Sequence, residues 1–92
     1  MPQLEQWAIY DFGYGQVLAG QVYNHPKFPP GKIVTTNILV GVSDKEEIIT
    51  ESGTHYELGN VNPHYEEMYP NARERLIADL KVRNDRNENK NS

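Results

Sequence analysis

The chain has no cysteine, one tryptophan and two methionines among its 92 residues. Without cysteine it forms no disulfide and no thiolate metal site, which fits a reducing compartment. Basic residues are also scarce: nine lysines and arginines stand against thirteen acidic residues, for a formal charge of −4. That balance argues against long nucleic acid, which takes many phosphate-neutralising side chains. It leaves room for a small anion, since two arginines and a few backbone N–H groups hold one or two phosphates. No stretch approaches the roughly 20 apolar residues of a membrane span. The opening MPQLEQWAIY has neither the basic start nor the apolar run of a signal peptide. These absences point to a cytosolic chain with no membrane partner.

What is present is enough for one domain, read over residues 1–83, with a polar tail, NDRNENKNS, expected to be disordered over 84–92. A chain this short has few side chains to spare for a core. A ligand pocket of roughly 300–1,000 Å³ would compete for them. Any small-molecule site is therefore expected at an interface between copies.

The pattern predicts a small α+β domain: a five-stranded antiparallel meander or open barrel, then a short helix and one C-terminal helix. EQWAIYDF (5–12) and VLAGQVYN (17–24) read as strands joined by GYGQ, a glycine-bearing hairpin turn. Gly20 inside the second strand signals a bulge or a close backbone approach. In HPKFPPGK, three prolines fix three φ angles, and Pro30-Gly31 reads as the centre of a type II turn. Residues 33–42 read as one strand, with Val34, Thr36, Ile38, Val40 and Val42 on the core face and Ile33, Thr35, Asn37 and Leu39 on the other. EIITE (47–51) and HYELG (55–59) follow as short strands. Asn62-Pro63 is a helix start, and Pro70 stops that helix. Asn71, with Glu74 three residues on, reads as the capping box of a second helix whose apolar stripe is Ala72, Leu76, Ile77 and Leu80.

The chemistry-bearing residues carry no catalytic signature. His25, His55 and His64 follow no metal-ligand spacing. No serine or threonine sits in an elbow beside a base, and the acids cluster as ordinary solvated runs. GYG is too short for a phosphate loop and lies between strands. The chain is thus read as a non-enzyme without metal or cofactor. Six tyrosines, a tryptophan and two phenylalanines offer faces on which a base can stack. Tyr23, His25, Phe28 and Tyr56 fall near strand ends. Thr35, Thr36, Asn37, Ser52 and Thr54 bring small polar groups close by, and Arg73 and Arg75 open the last helix, where they could meet phosphate oxygens. Tyrosines also pack at the edges of small β cores, and threonines favour strands by propensity alone. These residues by themselves therefore name no ligand.

Two runs, GQVYNHPKFPPGKIVTTNIL and ITESGTHYELGNVNPHYE, carry a further signal. Their general form is G-x-V-x-x-H-P-x-F-x-x-G-x-x-I-x-T-[ST]-x-I, then T-x-[SN]-G-[ST]-x-Y-x-L-G. Over residues 20–67 the chain resembles the viral nucleotide sponges, phage proteins that sequester the signalling nucleotides of CBASS and Thoeris defence. The resemblance implies a non-catalytic protein in the cytoplasm of an infected bacterium. It would bind a cyclic dinucleotide such as cyclic GMP-AMP, or a cyclic ADP-ribose isomer, in pockets between the subunits of a homo-oligomer. The matching positions are His25, Pro26, Phe28, Gly31, Ile33, Thr35, Thr36, Gly53, Thr54, Tyr56, Leu58 and Gly59. The glycines suit turns, and Pro26, Ile33 and Leu58 suit structural roles. That leaves His25, Phe28, Thr35, Thr36, Thr54 and Tyr56 as ligand contacts. Arg73 and Arg75 join them as candidates on charge, outside the motif. The alternative is a small protein-interaction module or phage regulator with no small-molecule ligand, and a weaker one is a small cyclic-nucleotide hydrolase.

Overall fold

The computed structural model describes the backbone of residues 1–90 and the side chains of residues 1–84. Six strands come first: β1 (Gln3–Asp11), β2 (Gln16–Tyr23), β3 (Lys32–Thr35), β4 (Leu39–Val42), β5 (Ile48–Thr50) and β6 (His55–Leu58). Helices α1 (Pro63–Met68) and α2 (Ala72–Lys90) come after them. The α+β class matches the sequence reading. Two details differ: there are six strands, and the sheet is mixed, because β1 and β6 run parallel at its centre.

The sixth strand arises because residues 33–42 do not form one strand. The order across the sheet is β3-β2-β1-β6-β5-β4, so β3 and β4, adjacent in sequence, lie on opposite edges. Laid flat, six strands spaced about 4.8 Å apart would put the edge strands about 24 Å apart. The four Cα steps from Thr35 to Leu39 span at most about 14 Å. The sheet must therefore curl until its two edges approach each other.

Thr36 makes the break. Its N–H donates to Leu18 O at 2.8 Å, while its Oγ1 accepts from Leu18 N–H at 3.0 Å. The hydroxyl thus replaces the backbone carbonyl that a longer β3 would have offered, and the chain turns away. The same hydroxyl donates to Asn37 O at 2.9 Å. Thr36 is 6% exposed, a satisfied polar residue at the core edge. The break also changes which way the side chains of β4 face. Leu39, read from strict alternation as lying off the core face, is buried at 1% exposure, and a register irregularity between Leu39 and Gly41 lets Val42 share the core with it.

β1 contains a bulge between Glu5 and Ala8, so the bulge lies in the first strand, and Gly20 of β2 makes the close backbone approach opposite it. Gln6 takes φ 53° as the extra residue. The shift lets Leu4 and Trp7, three residues apart, both point into the core, where both are fully buried. Opposite the bulge, a Cβ on Gly20 would sit 2.9 Å from Glu5 O and 3.1 Å from Trp7 Cα.

Asn62 caps α1 as read, its Oδ1 accepting from the N–H groups of His64 and Tyr65 at 2.9 and 3.3 Å. Asn71 differs from the expected capping box. It takes φ 63° and its carbonyl accepts from Arg75 N–H, with no side-chain bond to the first turn of α2 among the described residues. Ala72, Leu76, Ile77 and Leu80 are buried, and α2 lies against β4. Its last described side chains seal that edge strand. Arg83 Nη1 donates to Leu39 O at 3.2 Å, and the Asn84 amide both donates to Val42 O (2.7 Å) and accepts from Val42 N–H (3.3 Å). α2 runs to Lys90, past the boundary at residue 83 read from the sequence; the rest of the tail reading lies outside the described residues.

Because the atoms facing Gly20 are backbone and cannot give way, Gly20→Ala should lower stability by about 1–3 kcal/mol. Urea denaturation of the two proteins checks this.

Candidate functional site

Between β3 and the β5–β6 turn of the curled sheet lies a cleft of about 630 Å³. Pro2, His25, Pro26, Lys27, Phe28, Thr35, Thr36, Asn37, Ser52, Thr54 and Tyr56 line it. That volume falls within the range of small-molecule sites. The six motif-derived contact candidates, His25, Phe28, Thr35, Thr36, Thr54 and Tyr56, all meet there, brought together from three chain segments by the curl of the sheet.

One wall is the loop between β2 and β3. Gly31 N–H donates to Val22 O at 2.8 Å and Lys32 N–H to Pro29 O at 3.3 Å, closing the loop around Pro29, Pro30 and Gly31. Gly31 has φ 83°, as the type II turn requires. Lys27 N–H donates to His25 Nδ1 at 3.0 Å. His25 thus packs in a fixed pose, its ring centroid 4.7 Å from Phe28 at 50° and 6.2 Å from Tyr56 at 30°. The rings make a short aromatic wall on a loop whose entropy the prolines have already reduced.

The opposite wall is the turn after β5. Thr50 is buried, and its hydroxyl lies 3.0 Å from Ser52 Oγ and donates to Thr54 O at 3.3 Å. Ser52 Oγ lies 3.4 Å from Thr54 Oγ1. Gly53, at φ 89°, allows the tight turn that presents these hydroxyls. Tyr56 closes the floor. Burial raises its phenol above the usual value of 10.0, so the hydroxyl stays a neutral donor and acceptor at physiological pH. Among the described residues no carboxylate lines the cleft, although the chain carries thirteen acidic residues. The arrangement holds an aromatic wall and a hydroxyl wall, groups that can stack and hydrogen-bond.

Arg73 and Arg75 stand elsewhere in the chain's own fold. Arg73 donates from Nη1 to Leu58 O at 3.1 Å and from Nη2 to Gly59 O, tying α2 to the end of β6. Gly59 O also accepts from Trp7 Nε1 at 3.1 Å, so one carbonyl joins helix, strand end and core. Arg75 borders a separate cavity of about 340 Å³ with Ile9, Asp11, Gln16, Tyr65, Tyr69 and Asp79. Of the three histidines only His25 lines the cleft. His55 faces Glu47 at 3.3 Å and His64 faces Glu67 at 3.9 Å. Among the described residues no three His, Cys, Asp or Glu side chains gather as metal ligands, and no helix is long and apolar enough to cross a membrane.

Two cleft residues escaped the sequence reading. Pro2 arrives because its carbonyl accepts from Glu57 N–H at 2.9 Å, extending the parallel β1–β6 pairing that no local pattern announces. Lys27 sits inside HPKF, and its charge beside two ring-bearing neighbours was the available signal. Comparison with protein-family models, with curated proteins and with solved structures found no match. Residues and geometry therefore carry the functional argument.

If Arg73 is a tie between elements, Arg73→Ala should lower stability by about 1–2 kcal/mol, the lower range for hydrogen bonds made by a charged donor. Denaturant midpoints measure the loss, and an unchanged midpoint counts against the tie.

Proposed function

We propose that the chain is a non-catalytic binding protein that sequesters a cyclic signalling nucleotide, a cyclic GMP-AMP-like dinucleotide or a cyclic ADP-ribose isomer. In an infected bacterial cytoplasm this would blunt CBASS- or Thoeris-type defence. The observation that carries the reading is the meeting of His25, Phe28, Thr35, Thr36, Thr54 and Tyr56 around one cleft that no carboxylate of the described residues lines. These residues come from three segments of the chain, and all six stand at positions of the sponge-like motif. Their types suit the ligand class. Rings stack on bases, and hydroxyls and an amide bond sugar and base edges.

Sequestration demands affinity. A nanomolar constant corresponds to about −12 kcal/mol. Stacking of two bases at roughly 1–3 kcal/mol each falls short, so charge-assisted bonds to phosphate in an enclosed space must supply much of the rest. The cleft is open on one side, and in this reading a second copy closes it. The exposed apolar side chains Tyr10 on β1, Ile33 on β3, and Phe12 and Tyr14 in the β1–β2 hairpin support such an association. Ile33, at 73% exposure, and Tyr10 border one uncharged groove with Ala8, Ala19 and Gln21. The same groove favours the second reading, a protein-interaction module, in which it receives a partner other than a further copy.

Incubation with cyclic GMP-AMP or a cyclic ADP-ribose isomer, followed by heat denaturation, separates the readings. A sponge depletes free ligand and returns it intact on heating, an enzyme returns product, and an interaction module leaves the ligand free. Size exclusion with light scattering should give a dimer or larger assembly at micromolar concentration; a monomer there would remove the shared pocket.

A further inference from the structure

We infer that Lys27 and Lys32, not the arginines of α2, supply the positive charge that grips the anionic part of the ligand. The inference rests on the binding reading above and identifies the part of the site that the reading leaves without a cation. Seven lysines and arginines have described side chains: Lys27, Lys32, Lys45, Arg73, Arg75, Lys81 and Arg83. Arg73 and Arg83 are occupied by backbone carbonyls of Leu58, Gly59 and Leu39. Arg75 and Lys81 border other cavities. Lys45 sits in the charged turn between β4 and β5. Lys27 lines the cleft itself. Lys32 begins β3, and its Nζ stands 5.4 Å from the centroid of the Phe28 ring, which forms part of the cleft wall.

Three features make this pair fit a phosphate. Neither lysine has an ion-pair partner within 4 Å among the described residues, and no described carboxylate lines the cleft to compete with an incoming anion. Both main-chain positions are held, Lys27 by its N–H bond to His25 and Lys32 by its bonds within the turn and the β2–β3 ladder. The Lys27 bond also bears on His25. An Nδ1 that accepts leaves the proton of the neutral ring on Nε2, so the imidazole offers a third donor from the same loop. A lysine on the cleft lining, a second lysine beside the Phe28 ring and one ring N–H thus belong to the same short segment of a chain of net charge −4, and Ser52 and Thr54 bring hydroxyls to the lining from another segment. A phosphate-bearing ligand is oriented by that asymmetry, with its anionic part toward the 25–32 loop and its sugar or base edges toward Ser52 and Thr54.

The test is titration calorimetry of cyclic GMP-AMP into the full chain, in low and in high sodium chloride. Lys27→Gln and Lys32→Gln should each weaken binding by roughly ten- to a hundred-fold, the range for losing a charged hydrogen bond. Affinity in the two variants should also depend less on salt than in the parent protein. Lys81→Gln changes net charge equally on another face and should stay within about two-fold, which separates direct contact from the general field. Lys27→Arg and Lys32→Arg should restore binding. Circular dichroism verifies that the variants fold. Parent-like affinity and salt dependence in both Gln variants, with the parent protein binding, would overturn the inference and leave the binding reading standing. A parent protein that ignores the nucleotide would overturn both.

Discussion

Everything distinctive in this molecule depends on the three residues, Thr36 to Ile38, that carry the chain from one edge of a six-stranded sheet to the other. A connection so short cannot reach across a flat sheet. The sheet is therefore bent until β3 and β4 come near each other. Thr36 anchors the crossing with its backbone and its hydroxyl on Leu18, and Ile38 O accepts from Glu51 N–H at 2.7 Å on the far side. The cleft lies beside this crossing and takes Thr35, Thr36 and Asn37 from it. The polar residues inside an apolar run are thus structural and site-forming at once: one is buried to make the turn, and its neighbours face the opening that the turn creates.

The two edges of the sheet are treated differently, and that difference leaves the cleft accessible. α2 covers β4, using the Asn84 amide as a surrogate strand neighbour and the Arg83 guanidinium as a donor. Arg73 ties the start of the same helix to the end of β6. Arg73 and Arg83 are thereby committed to holding the scaffold. The β3 side is bordered instead by the proline-stiffened loop, from which His25, Lys27 and Phe28 line the cleft. Rigid backbone with uncommitted side-chain charge is what a binding rim needs, since less freedom is lost when the ligand arrives.

Local signals were legible wherever one residue type has one dominant use. Gly20 announced a close backbone approach because no side chain fits against Glu5 and Trp7. Pro30-Gly31 announced its turn, Asn62-Pro63 its helix start, and the stripe Ala72, Leu76, Ile77, Leu80 its buried face. The candidate site was legible for its rings and hydroxyls through the HPKF and SGTHY segments. Arg73 and Arg75 look like anion binders at a helix start, yet Arg73 is drawn to carbonyls that only the packing of α2 brings near, and Arg75 faces a different cavity.

The sequence by itself determined the class of the fold, the turn positions, the amphipathic helix and the residue types suited to stacking and hydrogen bonding. Each of these stems from interactions within a few residues: φ preferences, capping and the periodicity of apolar side chains. Only the tertiary structure decided that residues 33–42 divide between two edges, that β1 and β6 run parallel, and which cations stay clear of the scaffold. Those outcomes depend on hydrogen bonds between segments remote in the chain, such as Thr36 with Leu18, Glu57 with Pro2 and Arg73 with Leu58. Local preference does not encode such pairings; they are selected by which closure of the whole sheet buries the core and satisfies its backbone.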